Sequence, residues 1–173
     1  MKITAPFYPL RMPLNIIRTY LFILLFVAGN LLLPQLTHLV PKGGFIFLPI
    51  YFFTLVAAYK FGPNVGVMTA VFSPLLNNLL FGMPPAFVLP IILVKSLLIV
   101  VFAILISSRY KKVSIFHLVL VVLGYQLTGS LIEWGITNSF TMATQDFTIG
   151  IPGMLIQVIG GWIILKKLAS YEY

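Results

Sequence analysis

Two ionisable residues stand inside long apolar segments of the sequence, where a charge is hardest to accommodate. Lys95 lies in the apolar segment 86–107, and Glu133 lies towards the end of the segment 114–138. If these segments cross a lipid bilayer, a charge at its centre costs about 2.5–3.5 kcal/mol, so each side chain needs a partner or a wet cavity. The two residues could form a buried ion pair that fixes helix register, or they could contact a bound solute.

Further polar or aromatic side chains in the apolar segments are candidates for the same site. They are Tyr51, Asn77, Asn78, Gln126 and Trp134. Gln126 and Glu133 share one helix face, because they are two helical turns apart. Asn77 and Asn78 lie about 100° apart around a helix, so we expect that one of them faces inward. At about 1.5 Å per residue, the polar groups gather in one half of the bilayer, which predicts a pocket that opens on that side and is closed on the other.

The composition explains why these segments are interpreted as membrane helices. Of the 173 residues, 60% are hydrophobic and only 8% are charged, whereas a soluble domain carries about 25% charged residues. About 20 apolar residues cross a bilayer as a helix, and an open sheet would leave its backbone unsatisfied in lipid. The sequence therefore predicts an all-α integral membrane bundle of six transmembrane helices. The six apolar segments are 18–37, 44–60, 63–81, 86–107, 114–138 and 147–168.

The basic residues predict the orientation of this bundle. One side collects most of them, and the other side has Lys42 alone. The basic side has Lys2, Arg11, Arg18, Lys60, Arg109, Lys111, Lys112, Lys166 and Lys167. Because short cytoplasmic loops are enriched in Lys and Arg, both termini are predicted to be cytoplasmic and the pocket to open outward. This divides the chain into an N-terminal tail (1–17), a six-helix transmembrane domain (18–168) and a C-terminal tail (169–173).

Several classes of function are disfavoured by the composition. The formal charge is +8, from eleven Lys and Arg residues against three acids, but topology explains this excess better than a nucleic-acid partner does. The sequence has no cysteine, and therefore no thiol nucleophile or thiolate metal site. His38 and His117 are predicted on opposite sides of the membrane, so we expect no metal site. Catalytic residues and a cofactor are not predicted either, and we expect that the protein is not an enzyme.

Small residues on two predicted helices could allow another helix to approach closely. Gly62, Gly66 and Ala70 recur every four residues at the start of the third helix, and Ala28 and Gly29 lie within the first. Close approach of backbones at small residues is typical of contacts between membrane helices. These five residues could contact a partner subunit, or they could pack inside the six-helix bundle.

The chain resembles the substrate-capture subunits, or S components, of energy-coupling factor (ECF) transporters. The resemblance covers the size, the six spans and the basic balance of the chain. Locally it rests on the segment Phe61-Gly62-Pro63-x-x-Gly66-x-x-x-Ala70 and on the Gly82 to Pro85 turn before the helix of Lys95. It implies a bacterial inner-membrane protein that binds a vitamin or similar small nutrient outside the cell. It also implies two kinds of partner, a transmembrane coupling subunit and two ABC ATPases.

Within this resemblance, Lys95 would suit a nutrient bearing a carboxylate or phosphate, and Trp134 or Tyr51 could stack on its ring. The main alternative is a scaffold of the rod-shape-determination type, which transports nothing and in which Lys95 and Glu133 pair with each other. A stand-alone facilitator is disfavoured by the aliphatic character of the cytoplasmic halves of the helices.

Overall fold

The computed structural model describes residue 7 and residues 9–171, and every regular element in this part of the chain is a helix. In chain order the helices are α1 (Ile17–Thr37), α2 (Gly43–Phe47), α3 (Pro49–Phe61), α4 (Pro63–Phe81), α5 (Leu89–Tyr110), α6 (Ile115–Thr137), α7 (Phe140–Ala143), α8 (Gln145–Thr148) and α9 (Ile151–Lys167). The helix α3 is irregular: it begins as a 3-10 turn and ends as a π turn.

Four helices are long and apolar enough to cross a membrane. They are α1, α4, α5 and α6, with 21, 19, 22 and 23 residues, and about 20 residues span the hydrocarbon core. The helix α9 has 17 residues, and α3 is likewise shorter than a span. The all-α prediction is therefore confirmed for the described residues, and four helices that could span a bilayer are consistent with a multi-pass membrane protein.

The distribution of polar and apolar side chains is inverted relative to a soluble protein. Large aliphatic residues cover the outside of α1, where Ile17 is 72% and Leu24 66% exposed. Polar side chains such as Asn30, Thr69 and Gln126 are fully buried between the helices. Soluble monomers rarely expose apolar surface on this scale. The arrangement is consistent with lipid as the solvent around the helices.

The segment before α1 packs onto the end of the bundle where α3 ends and α4 begins. The amide of Leu10 donates to the carbonyl of Lys60 (2.6 Å), and the amide of Met12 donates to the carbonyl of Phe61 (3.4 Å). The predicted N-terminal tail is thus attached to the bundle where the structure describes it, and residues 1–6 and 8 lie outside the described residues. Of the predicted C-terminal tail, Tyr171 packs against α1 and α3, while residues 172 and 173 lie outside the described part.

Asn30 of α1 is hydrogen-bonded to two other helices. Its side-chain amide donates to Thr54 Oγ1 of α3 (2.9 Å) and to Ser73 Oγ of α4 (3.1 Å), and its side-chain oxygen accepts from the amide of Phe53 (3.1 Å). Interhelical hydrogen bonds in membranes contribute about 0.6–2 kcal/mol each. Asn30 therefore holds α1, α3 and α4 together below the cavity described next.

Pro34 provides a further contact between α1 and α4. A proline has no amide hydrogen, so the carbonyl of Asn30, four residues earlier, lacks its helical donor. Asn77 of α4 supplies the donor instead, with its Nδ2 atom 2.9 Å from that carbonyl. The proline within α1 and the asparagine within α4 are thus complementary.

Most of the small residues predicted as partner contacts pack against other helices inside the bundle. A Cβ atom on Gly66 would lie 2.8 Å from a side chain of α3, and one on Gly29 would lie 2.6 Å from an aromatic ring of α3. Gly62 has φ of +88°, and a Cβ atom there would lie 2.7 Å from a backbone carbonyl of the N-terminal segment, while Ala70 is fully buried. Only Ala28 and Gly29 are partly exposed. This geometry favours the alternative of internal packing for Gly62, Gly66 and Ala70.

Candidate functional site

A cavity of about 690 Å³ opens at the end of the bundle where α1, α4 and α6 end and α5 begins. Its volume falls in the range typical of small-molecule sites, about 300–1,000 Å³. The wall is mostly apolar and aromatic, with Phe45, Tyr51, Phe87 and Ile91 among its residues. The short helix α2 and the segment of α7 and α8 form the rest of the rim.

Three charged side chains meet at the wall of this cavity. The Nζ atom of Lys95 lies 2.6 Å from Oε2 of Glu133 and 2.8 Å from Oδ2 of Asp146. All three residues are buried, with exposures of 3%, 8% and 9%. We call Lys95, Glu133 and Asp146 the ionic triad. With one ammonium and two carboxylates in their ordinary charge states, its formal charge is −1.

Lys95 is paired with both acids of the triad. Its ammonium donates a hydrogen bond to Asp146 and lies still closer to Oε2 of Glu133, at 2.6 Å. An ammonium has three donors, so it can serve two carboxylates at once. One positive charge is thus shared between two buried acids.

Each member of the triad comes from a different helix. Lys95 lies in the second turn of α5, after a start with Pro90 in the first turn. Gly129 of α6 makes room for the lysine, because a Cβ atom there would lie 2.7 Å from Cγ of Lys95. Glu133 follows one turn later on the same face of α6. Asp146 lies in the first turn of α8, so the segment between α6 and α9 folds back over the bundle to reach the lysine.

Four of the predicted site residues line the cavity. They are Tyr51, Asn77, Lys95 and Glu133. Asn77 is the asparagine of the neighbouring pair that faces inward, and it is 1% exposed. Its Nδ2 atom is used twice, for the carbonyls of Asn30 and Ser73, whereas its Oδ1 atom is buried with no partner among the described residues.

The other three predicted site residues lie off the cavity. Gln126 is fully buried two turns below Glu133 and belongs to the helix interface. Asn78 points away and donates to the carbonyl of Pro84 (2.7 Å). Trp134 is 48% exposed and packs edge-on against Phe140 on the outside of the bundle. These three residues are not among those that line the cavity, because consecutive helical residues diverge by about 100° and a polar stripe extends below the cavity floor.

Asp146 and Gly129 were missed by the sequence reasoning. Asp146 is one of only three acidic residues in the chain, and this scarcity was a signal that each acid needs an explanation. Its position in a connecting segment gave no distance to Lys95. Gly129 stands four residues before Glu133, and nothing in the local sequence shows that it faces a lysine stem.

The two histidines lie at opposite ends of the bundle. His38 lines the rim of the cavity, and His117 stacks on Tyr110 with ring centroids 4.5 Å apart. No group of three or more potential metal ligands of the His, Cys, Asp and Glu types occurs in the part of the chain that the structure describes. The cavity therefore offers ionic, hydrogen-bonding and aromatic contacts to a solute.

Removing the lysine of the triad should destabilise the protein strongly. Lys95→Met leaves two buried carboxylates without a cation, a change that typically costs about 3–5 kcal/mol. Adding Glu133→Gln and Asp146→Asn to that variant removes both charges and should restore most of the loss. Thermal unfolding in detergent, followed by circular dichroism, measures both effects. A Lys95→Met protein as stable as the parent would contradict the ionic triad.

Two glycines of α6, Gly129 and Gly135, allow a matched test of whether Gly129 packs against the Lys95 side chain. Gly129→Ala would push on Cγ of Lys95 and should destabilise the protein by about 1–3 kcal/mol. Gly135→Ala meets nothing within 4 Å and should be neutral or stabilising by up to about 1 kcal/mol, because alanine favours the helix. The same thermal measurement applies, and equal effects of the two variants would show that Gly129 is not packed against Lys95.

Comparison of the chain with protein-family models, with curated proteins and with solved structures finds no match.

Proposed function

We propose that this protein is a membrane subunit that captures a small nutrient at the outer face of the cytoplasmic membrane, in the manner of an ECF-type S component. The observation that carries the proposal is a cavity of small-molecule size whose wall holds a buried ionic triad. Apolar walls with a few convergent polar groups are typical of solute-binding sites.

The proposal includes six spans, with both termini in the cytoplasm. The helices α3 and α9 pack alongside the four long helices and would complete the bundle as short spans, around which the bilayer thins locally. Exposed cations concentrate at the end of the bundle opposite the cavity. They are Arg11, Arg18, Arg109, Lys111, Lys112, Lys166 and Lys167. By the positive-inside rule this end would be cytoplasmic, and the cavity would open to the exterior.

The interior beyond the cavity supports capture rather than free passage. Below the ionic triad lie the buried polar side chains of Gln126 and Gln157, and towards the opposite end α5 and α6 present only apolar side chains at Ala103, Val121 and Leu118, all fully buried. A channel would need polar groups through the full thickness of the bundle. A solute bound at the triad would therefore leave on the cytoplasmic side only after a rearrangement that consumes energy. The sequence has no phosphate-binding loop of the Gly-x-x-x-x-Gly-Lys type, so this energy would come from a transmembrane coupling subunit and two ABC ATPases.

The coupling subunit would contact apolar side chains on the outside of the bundle. Gly62, Gly66 and Ala70 are buried within it and offer no free surface. Exposed aliphatic rows run along α1 and α9, with Leu21 at 59% and Leu155 at 54%. These rows would otherwise face lipid.

A scaffold of the rod-shape-determination type is the second candidate, and the pairing of Lys95 with Glu133 favours it. In a scaffold the pair would only fix the register of α5 against α6. The cavity beside the pair is the observation that a scaffold leaves unexplained.

The proposed orientation can be measured without background labelling, because the sequence has no cysteine. Ala86 and Thr141 are exposed at the cavity end, and Lys111 and Ser170 are exposed at the opposite end. Each of the four would be replaced by cysteine in a separate variant. In intact cells a membrane-impermeant maleimide should label the first pair, and the second pair only after permeabilisation. Labelling of both pairs from the same side would contradict the six-span topology.

The proposed function predicts a bound solute and a coupling partner. Native mass spectrometry of the protein purified from its own membranes should show a small-molecule adduct, and mild-detergent purification should recover a transmembrane subunit with ABC ATPases. The Glu133→Gln variant should lose the adduct yet retain these partners, because the triad lies inside the cavity. Purified protein with neither adduct nor ATPase would favour the scaffold.

A further inference from the structure

We infer that the solute held by this cavity carries a positively charged hydrogen-bond donor, such as an amidinium, ammonium or protonated ring nitrogen, on an apolar or aromatic body. This inference rests on the proposed function, because it assumes that the cavity binds a solute. Two observations carry it: the number of acids at the triad, where two carboxylates share one ammonium, and the lining of the cavity.

The acids of this chain are concentrated at one lysine. The sequence has eleven Lys and Arg residues but only three acids, and two of the three, Glu133 and Asp146, contact Lys95. The third, Glu172, lies outside the described residues. One carboxylate is enough to neutralise a buried lysine. The second carboxylate leaves an excess negative charge at the cavity wall.

A second buried carboxylate is costly unless a further cation or donor compensates it. Moving an ion into a protein interior costs several kcal/mol even after relaxation. The ammonium of Lys95 lies 2.6 Å from Glu133 and 2.8 Å from Asp146, and one positive charge balances only one of these two carboxylates. A ligand with a positively charged N–H group would supply the missing charge and a charge-assisted hydrogen bond.

The remaining basic side chains at the cavity, Lys42 and His38, are exposed to solvent, where charge is screened. The other titratable group of the wall is the buried phenol of Tyr51. The wall also includes the apolar side chains of Phe45, Phe87 and Met142. Such a wall suits a ring or another apolar body.

This charge assignment differs from the carboxylate or phosphate expected from Lys95 alone. An anion at the floor of the cavity would meet two carboxylates for one ammonium, and the ammonium is already engaged by both at 2.6 and 2.8 Å. Like charges in a poorly solvated site repel strongly. The two acids therefore reverse the preference that the lysine would have by itself.

Three probes of nearly identical shape separate charge from shape: benzamidinium, benzamide and benzoate. Each is a benzene ring with one planar head group, and the heads are positive, neutral and negative. With the purified full-length protein in detergent, benzamidinium should raise the midpoint of thermal unfolding in a concentration-dependent manner. Benzamide and benzoate should have little effect at equal concentration. A ligand that binds the folded state stabilises it by mass action, so the shift reports affinity.

Two variants assign the effect to the triad. Glu133→Gln and Asp146→Asn each remove one negative charge but leave Lys95 paired with the other carboxylate, so both proteins should fold. Each should bind benzamidinium at least about tenfold more weakly, the effect of losing one charge-assisted contact. The benzamide response should stay unchanged in both variants.

Several outcomes overturn the assignment. They are a larger shift with benzoate, equal shifts with all three probes, no shift with any probe up to its solubility limit, and a benzamidinium shift that survives both variants. Failure of the proposed function is a separate result. If the protein binds benzamidinium but no coupling subunit is recovered with it, the transporter proposal is refuted and the charge assignment stands. If the ATPases are recovered and benzoate is preferred, the charge assignment is refuted and the transporter proposal stands.

Discussion

The buried ammonium of Lys95 constrains how the helices at the cavity end of the bundle pack. A cation between apolar helices must be neutralised, and Glu133 and Asp146 do so at 2.6 and 2.8 Å. These contacts fix α5 against α6 and bring the segment between α6 and α9 back over the bundle. The cavity lies where this folded-back segment, α2 and the ends of α1 and α4 surround the triad. The requirement to neutralise one charge thus shapes the candidate site as well as the packing beside it.

Away from the triad, buried polar groups hold the helices together in the absence of a hydrophobic driving force between them. Asn30 satisfies all of its side-chain hydrogen-bonding groups with α3 and α4, and its carbonyl is left free by Pro34 for Asn77. Lipid is as apolar as leucine, so such bonds and the close packing of small residues supply specificity that soluble proteins obtain from a hydrophobic core. The same network supports one wall of the cavity, because Asn77 is part of both.

The sequence was sufficient for the helices but not for the positions of the side chains around the cavity. Long apolar segments predict α1, α4, α5 and α6 directly, because the length of a span is fixed by the bilayer. Lys95 and Glu133 could be selected because a charge in an apolar segment is costly. Asp146 could not be connected to them, since the path of a connecting segment depends on tertiary contacts that no local pattern encodes. Trp134 neighbours Glu133 in sequence but lies about 100° around α6 from it, and it is 48% exposed and off the cavity.

A high-resolution structure of the protein, purified from its own membranes into lipid nanodiscs, would show whether the cavity at the ionic triad holds a solute or whether the triad is only a buried structural cluster. If the cavity binds a solute, we expect compact density for a small molecule within about 3 Å of a carboxylate oxygen of Glu133 or Asp146. A cavity filled by lipid acyl chains or closed by the protein's own side chains, with the triad sealed from any solute, would contradict it.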